Sequence, residues 1–327
     1  MESEIKAKTI KDRYGREIKN LRISLTRRCN LDCIYCHGEG MPDECKTGVG
    51  EEMSPAEIER ITGICAGFGV RSVKITGGEP LLRSDIVEIV RRISSIPSIE
   101  DVSITTNGTI DADWIKLKSA GLNRVNISFD TMIPEIYRKI TGGSLKDHRA
   151  LISNIKKASS IFSPVKLNML IMKGINENEV NDIINFLKND CKNSVLQLIE
   201  IIPKNYRMNN TKEILDKFYS RFYYDLSEFE DLFKEKANTV ISRKLQNRKK
   251  YVFDNFEIEV VRPFHSLFCE NCTRIRITAD GYFMPCIMRD DNLVNFLKPA
   301  RCGADDDELR ALFLDAVNRR KPFKLSV

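Results

Sequence analysis

The sequence lacks any run of about 18 consecutive apolar residues, so no segment reads as a membrane-spanning helix. It lacks internal repeats and low-complexity tracts, which excludes solenoids and collagen-like arrays. The N-terminus has no apolar stretch; Lys6, Lys8, Lys11, Arg13 and Arg16 are interspersed with acids there. A secretory signal is therefore not expected, and the cytoplasm is the expected compartment. A strong excess of one charge is also missing. The 52 Lys and Arg against 46 Asp and Glu leave a net charge of +6. That balance suits an anionic small molecule without requiring nucleic acid. What is present is ordinary globular material. In 327 residues, 42% hydrophobic and 30% charged, there is enough apolar mass for one large or two medium domains.

The chain alternates short β-branched runs with longer stretches of helical spacing. The runs are 21–26, 72–76, 101–105, 124–129, 165–170 and 195–200. Between them lie 55–67, 84–95, 111–120, 146–159 and 177–187. Ser54 before Pro55 predicts a helix start. Six β-α units with right-handed crossovers predict an α/β fold, an incomplete (β/α)6 TIM-like barrel of parallel strands. Chemistry is then expected at the carboxyl ends of the strands. Cys29, Gly77, Asn107 and Asp130 follow the first four. The alternation stops after about residue 203. Residues 206–237 are aromatic, acidic and helical in pattern. The basic stretch 241–250 reads as a solvated face or linker. Shorter strands are expected at 256–261, 274–278 and 282–285, with a hairpin turn at Asp280-Gly281 and a final helix over 305–319. The spacing places a boundary near residue 235, between a core of 1–235 and a C-terminal extension of 236–327.

Ten cysteines in a chain with no expected secretory signal read as metal or redox ligands rather than disulfides. Cys29, Cys33 and Cys36 form C-x3-C-x2-C. Three thiolates in one short loop suit a soft metal or an iron–sulfur cluster, and no fourth ligand is obvious nearby. Cys269, Cys272 and Cys286 form C-x2-C-x13-C, again three. A zinc ribbon there would need Cys302 or His265 as its fourth ligand. Cys45, Cys65 and Cys191 read as small packing or surface thiols.

Leu21-Arg22-Ile23-Ser24-Leu25-Thr26, the first cysteine motif with Tyr35, Thr76-Gly77-Gly78-Glu79-Pro80 and Thr105-Thr106-Asn107-Gly108 together resemble the radical S-adenosylmethionine superfamily. With Cys269, Cys272, the Arg274-x-Arg276 insert and Cys286, the chain resembles the GTP 3',8-cyclase family of molybdenum cofactor biosynthesis over roughly residues 10 to 320. That resemblance implies a radical lyase with two [4Fe-4S] clusters and S-adenosylmethionine, the C-terminal extension carrying the second cluster. It implies GTP as substrate, a low-potential electron donor, and transfer of product to the next molybdopterin enzyme. It implies no nucleic-acid or membrane partner and allows a homodimer. The open iron of the first cluster would chelate S-adenosylmethionine, and the second would hold guanine.

By resemblance, Tyr35, Gly78, Ser128 and Ile202 contact S-adenosylmethionine, and Arg22, Lys74, Thr105, Lys166, Arg274, Ile275 and Arg276 contact GTP. Arg22 and Lys74 have support independent of the family. A charge inside a strand that reads as buried needs a partner, and a triphosphate is one. Two departures stand out. Ile202 sits where the family carries methionine. The chain also ends Lys324-Leu325-Ser326-Val327, without the family's two terminal glycines. Other readings are a peptide-maturing radical enzyme with an auxiliary cluster, and a zinc-stapled nucleic-acid binder using the 241–250 stretch. The second would need aromatic platforms beside the charge, which the sequence does not show.

Overall fold

The computed structural model describes residues 9–40, 52–192, 194–202, 217–243, 245–263, 268–289 and 291–322. Cys45, His265, Lys6, Lys8 and the 324–327 terminus lie outside the described residues.

Six parallel strands form the centre: β1 (Asn20–Ser24), β2 (Ser72–Thr76), β3 (Asp101–Thr106), β4 (Arg124–Ser128), β5 (Val165–Ile171) and β6 (Ser194–Glu200). Helices α1 (Pro55–Gly67), α2 (Ile86–Ser94), α3 (Trp114–Ser119), α4 (Pro134–Thr141), α5 (Leu145–Ile161) and α6 (Val180–Asp190) fill the crossovers. The start of α1 is a capping box. The Glu57 N–H donates to Ser54 Oγ at 3.3 Å, and the Ser54 N–H donates to the Glu57 carboxylate at 2.8 Å, so two otherwise orphaned donors satisfy each other. Helix α4 has no counterpart in the sequence reading. It is only 8 residues long and shares its crossover with α5, so its pattern was too brief to separate.

Strand alternation sends one set of side chains outward. Leu21, Ile23, Val73, Ile75, Ile104, Ile127 and Leu167 are fully or almost fully buried against the helices. Each such side chain contributes about 1.5–3 kcal/mol. The other set, with Arg22, Lys74, Thr105, Ser128 and Asn168, faces inward and lines one cavity.

C-terminal strands complete both edges of this sheet. After α7 (Lys217–Phe222) and α8 (Ser227–Lys236) come β7 (Thr239–Arg243), β8 (Arg248–Val252) and β9 (Glu257–Val261). Strand β9 pairs parallel to β6, and β8 and β7 follow it antiparallel. On the opposite edge β10 (Arg274–Ile277) pairs parallel to β1, followed by the antiparallel β11 (Tyr282–Met284) and β12 (Val294–Asn295). The chain closes with α9 (Leu297–Arg301) and α10 (Asp306–Asn318). The order is β12-β11-β10-β1-β2-β3-β4-β5-β6-β9-β8-β7. The stretch 241–250 is therefore not a linker. It is most of a β7–β8 hairpin; Arg243 and Lys249 are exposed, but Arg248 lines the cavity. Among the described residues no helix is long and apolar enough to cross a membrane.

After β2 the chain passes very close to the segment before Cys29. The Gly78 N–H donates to the Thr26 carbonyl and the Glu79 N–H to that of Arg28, each at 2.7 Å. A Cβ on Gly78 would lie 2.1 Å from the Arg28 carbonyl oxygen and 2.7 Å from that of Arg27. Glycine is required there by the chain's own backbone. Gly78→Ala should therefore destabilise the protein by about 1–3 kcal/mol, the usual cost of overpacking, seen as a lower urea midpoint at unchanged slope. An unchanged midpoint would mean the two segments separate freely.

Candidate active site

Register alone brings three cations side by side. Arg276 on β10 pairs with Arg22 on β1, and Arg22 pairs with Lys74 on β2. All three point into the same cavity, of about 370 Å³, together with Arg274 and Arg248. The Nε atoms of Arg22, Arg248 and Arg276 are buried and have no hydrogen-bond partner among the described residues. Buried guanidinium donors left unpaired are costly. Among the described residues Lys74 reaches only Asn126 Oδ1, at 3.3 Å. Burial, then the charges of Arg22, Arg274, Lys166 and Arg248, hold its ammonium well below the ordinary lysine value. Arg248 is pushed down to about 10, again first by burial.

The described residues include two non-glycine residues with positive φ, Glu39 at 53° and Gln246 at 59°. Both line this cavity and both bind an arginine in it. Glu39 takes a hydrogen bond from Arg22 and another from Thr76 Oγ1 at 3.0 Å. Gln246 Oε1 accepts from Arg248 at 2.6 Å. Left-handed backbone at non-glycine residues costs free energy and concentrates at functional sites. Glu39 shows what the cations want: a carboxylate already sits among them.

The first cysteine loop borders the same cavity. It is fixed by α4: the Asp32 and Ile34 N–H groups donate to the carbonyls of Thr141 and Ile140, each at 2.9 Å. Asn107, at the end of β3, donates to Asn30 Oδ1 at 2.9 Å and approaches Cys29 Sγ at 3.8 Å. Glu79, fully buried, accepts from Thr106 Oγ1, the Asn107 N–H and the Leu81 N–H at 2.7, 2.7 and 3.0 Å. Tyr35 donates to Asp130 Oδ2 at 2.6 Å, and burial lifts Asp130 to about 6. Cys29, Cys33 and Cys36 are free thiols. Burial raises Cys29 and Cys33, and neighbouring cysteine charge adds to both shifts. Three cysteines on one anchored loop fit an iron–sulfur core as their common partner, which would bind them as thiolates.

Across the cavity stand Cys269, Cys272 and Cys286, also free. Burial pushes Cys272 up, but Arg320, the Arg274 N–H and the guanidiniums of Arg274 and Arg276 outweigh it. Thiolate ligands and a positive surround at this loop fit a second cluster. The two motifs and the cation row thus bound one space.

Most residues singled out from the sequence converge there. Tyr35, Gly78, Ser128, Ile202, Arg22, Lys74, Thr105, Arg274 and Arg276 all line the cavity. Two differ. Ile275 alternates away from Arg274 and Arg276 and lies fully buried in the core, apart from the cavity lining. Lys166 sits one layer deeper, bonded to Glu259 at 2.6 Å; burial, opposed by Glu259, holds it at about 8. Sequence reasoning missed Arg248, Gln246 and Glu39. A composition window hid Arg248, because Arg243 and Lys249 beside it face solvent. For Glu39 the available signal was its position three residues after Cys36.

The lysine carries a stability consequence. Its native ammonium sheds its proton before the unfolded one does, so below that point the folded state bears an electrostatic penalty. Lys74→Met should therefore raise the melting temperature of the ligand-free protein at pH 7. As pH rises toward the ordinary lysine range, the parent should gain stability and the difference should shrink. A lower melting temperature for the variant at both pH values would contradict the reading of Lys74 as an uncompensated cation.

Residues 23–187 match the Radical SAM superfamily and residues 194–325 match Molybdenum Cofactor Synthesis C. The chain is 46% identical over 319 residues to a probable GTP 3',8-cyclase of Pyrococcus abyssi, covering 95% of this chain and 98% of that one. It is 45% identical over 320 residues to the probable GTP 3',8-cyclase of Methanocaldococcus jannaschii, covering 96% and 99%. In three dimensions it is similar to Streptococcus suis SuiB bound to S-adenosylmethionine, with a TM-score of 0.59 at 17% identity, covering 84% of this chain and 62% of that one. It is also similar to anSMEcpe with bound AdoMet, with a TM-score of 0.53 at 21% identity, covering 84% and 76%. These two share the fold, and the first is spanned over less than two thirds of its length. On sequence, the chain belongs to the radical SAM superfamily and, within it, to the GTP 3',8-cyclase family.

Proposed function

We propose that this protein is a radical lyase that closes GTP between C3' of the ribose and C8 of guanine. The product is (8S)-3',8-cyclo-7,8-dihydroguanosine 5'-triphosphate, the first intermediate toward molybdopterin. The observation that carries this reading is the single cavity bounded by both three-cysteine motifs and by a row of cations that Glu39 balances only in part.

Cys29, Cys33 and Cys36 would hold the first [4Fe-4S] cluster, and Cys269, Cys272 and Cys286 the second. When bound, the first cluster supplies the electron that cleaves S-adenosylmethionine and so starts the ring closure. The chain's own groups position, charge-match and enclose. Tyr35, Gly78, Ser128 and Ile202 form the wall assigned to S-adenosylmethionine. Arg22, Lys74, Arg274 and Arg276, joined by Arg248, give the triphosphate partners whose contacts are charge-assisted. Thr105 offers a hydroxyl from the end of β3. Lys166 acts from below by holding Glu259 and adding to the positive field around Lys74. The walls exclude water from the reacting carbons. We further infer a low-potential electron donor, delivery of product to the next molybdopterin enzyme, and work in the cytoplasm, where thiols stay reduced.

A peptide-maturing activity is the competing reading, since SuiB and anSMEcpe share the fold. A neutral peptide would leave the cation row unmatched. The decisive test is anaerobic incubation of cluster-loaded protein with GTP, S-adenosylmethionine and a strong reductant, followed by mass and NMR analysis of the nucleotide. The cyclised triphosphate is expected. 5'-Deoxyadenosine formed while GTP stays intact would refute the proposal.

Nucleotide affinity gives a second test. Lys74→Ala and Arg276→Ala should each weaken GTP binding by about 1.5–3 kcal/mol in calorimetry. Parent-like affinity in both variants would overturn the phosphate assignment. Because the free protein depresses Lys74, GTP affinity should fall as pH rises, before the ordinary lysine value of about 10.4 is reached. Lys74→Arg should flatten that decline, since arginine keeps its proton.

A further inference from the structure

Two arginines that border the cavity are turned away from it. Arg16 is 8% exposed and Arg320 is 1% exposed, and both hold the same carboxylate. Arg16 Nε and Arg320 Nη1 each donate to Asp12 Oδ2 at 2.7 Å. Asp12 is itself fixed, since its Oδ1 accepts the N–H groups of Tyr14 and Arg16 at 2.9 and 3.0 Å. The remaining donors go to one place. Arg16 Nη1 donates to the Cys269 carbonyl at 3.0 Å. Arg320 Nη2 donates to the Cys272 carbonyl, and Arg320 Nε donates to that of Arg274 at 3.1 Å. The carbonyl between these, on Thr273, takes the N–H groups of Lys19 and Asn20 at 3.0 and 3.1 Å. Arg16 Nη2 also donates to the Arg320 carbonyl at 3.3 Å, tying the two arginines together.

We propose that Asp12, Arg16 and Arg320 are positioning residues for the second cysteine loop, a clamp that sets the backbone of residues 269–274 so that the thiolates and Arg274 face the cavity in register. Three features support this beyond ordinary cross-linking. The carbonyls held belong to two cysteines of the motif and to the first arginine of the cation row. The forked geometry lets one guanidinium satisfy three acceptors in fixed directions, which an ammonium cannot do. The charge count also points outward: two buried arginines share one carboxylate, so the clamp is net cationic. A buried excess charge needs a partner. Three thiolates on an iron–sulfur core are net anionic and lie directly across the clamped backbone. The clamp therefore draws on the first and last parts of the described chain to build a site between them.

This rests on the proposed function only for the identity of the bound group as a cluster, and the parent protein tests that part separately. Reconstituted parent should hold about eight irons, two cubanes of four; about four would refute the second cluster and leave the clamp without its object. In a parent that passes, Asp12→Asn and Arg320→Ala should lower iron to about four per chain. In the Cys29→Ala/Cys33→Ala/Cys36→Ala background they should lower it from about four to nearly none, with loss of the remaining electron paramagnetic resonance signal. Arg320→Lys should fail to restore either, although it restores the charge. Arg71→Ala is the control for generic loss of a carbonyl-binding arginine. Arg71 donates to the Ala66 and Val70 carbonyls at 3.1 and 2.9 Å, and its removal should leave both clusters in place. If Arg320→Ala does not fold, Arg16→Met decides, because it leaves the Asp12–Arg320 pair whole. It should make the second-site iron more labile to chelator and lower that cluster's midpoint potential. Folded variants with full iron, unchanged signal and unchanged potential would overturn the clamp.

Discussion

Arg276, Arg22 and Lys74 stand next to one another on three adjacent strands because the pairing register leaves them no other place. Like charges held together in an enclosed space repel, and burial removes the water that would screen them. The rest of the site can be understood as a response. Glu39 reaches in from the first cysteine loop at the expense of a left-handed backbone. Glu259, 1% exposed, is spent on Lys166 and Arg243. Three Nε donors are still left over. A fold that maintains such an imbalance is built to have it corrected by something that arrives from outside, and a triphosphate has the charge to do so.

The same space must also admit thiolates, which are negative, and cations, which would pull them out of place. The chain separates these demands by element. The cysteines sit on anchored loops: the first is held through its backbone by α4 and through the Asn30 side chain by Asn107, the second through its backbone by the Asp12–Arg16–Arg320 group. The cations named in the row sit on strands, where the ladder fixes their spacing. Arg274 and Arg276 join the two systems, being on the strand that leaves the second cysteine loop. Rigid strands carry the charge pattern, and anchored loops carry the ligands.

Much of this was legible beforehand because it is periodic or tightly spaced. The Ser72–Thr76 strand and the Pro55–Gly67 helix appear at their expected limits, the latter because Ser54 and Pro55 leave little doubt about where a helix begins. The cysteines are legible from spacing, and Arg22 and Lys74 from the contradiction of a charge in a buried strand. What escaped was non-local. Nothing in the 241–250 composition says that Arg248 lines the cavity, since that depends on how β8 pairs with β9. Ile275 lies between two arginines that line the cavity but points the other way, because a strand alternates and a motif read as a block ignores alternation. Asp12 and Arg320 meet across almost the whole chain, a contact no window contains.

The closing of the sheet has a temporal consequence. Strand β1 is the first made, yet its β10 neighbour is not available until Arg274–Ile277 leaves the ribosome. Until then β1 presents an open edge on a parallel sheet, the kind of surface that recruits unintended strands. Strand β6 waits in the same way for β9. During synthesis the half-built cavity is thus open on both sides, with its first set of thiols unsheltered from oxidants. Loading of iron and completion of the polypeptide are therefore best matched in time, and slow or interrupted translation should harm this protein more than one whose early strands pair only with each other.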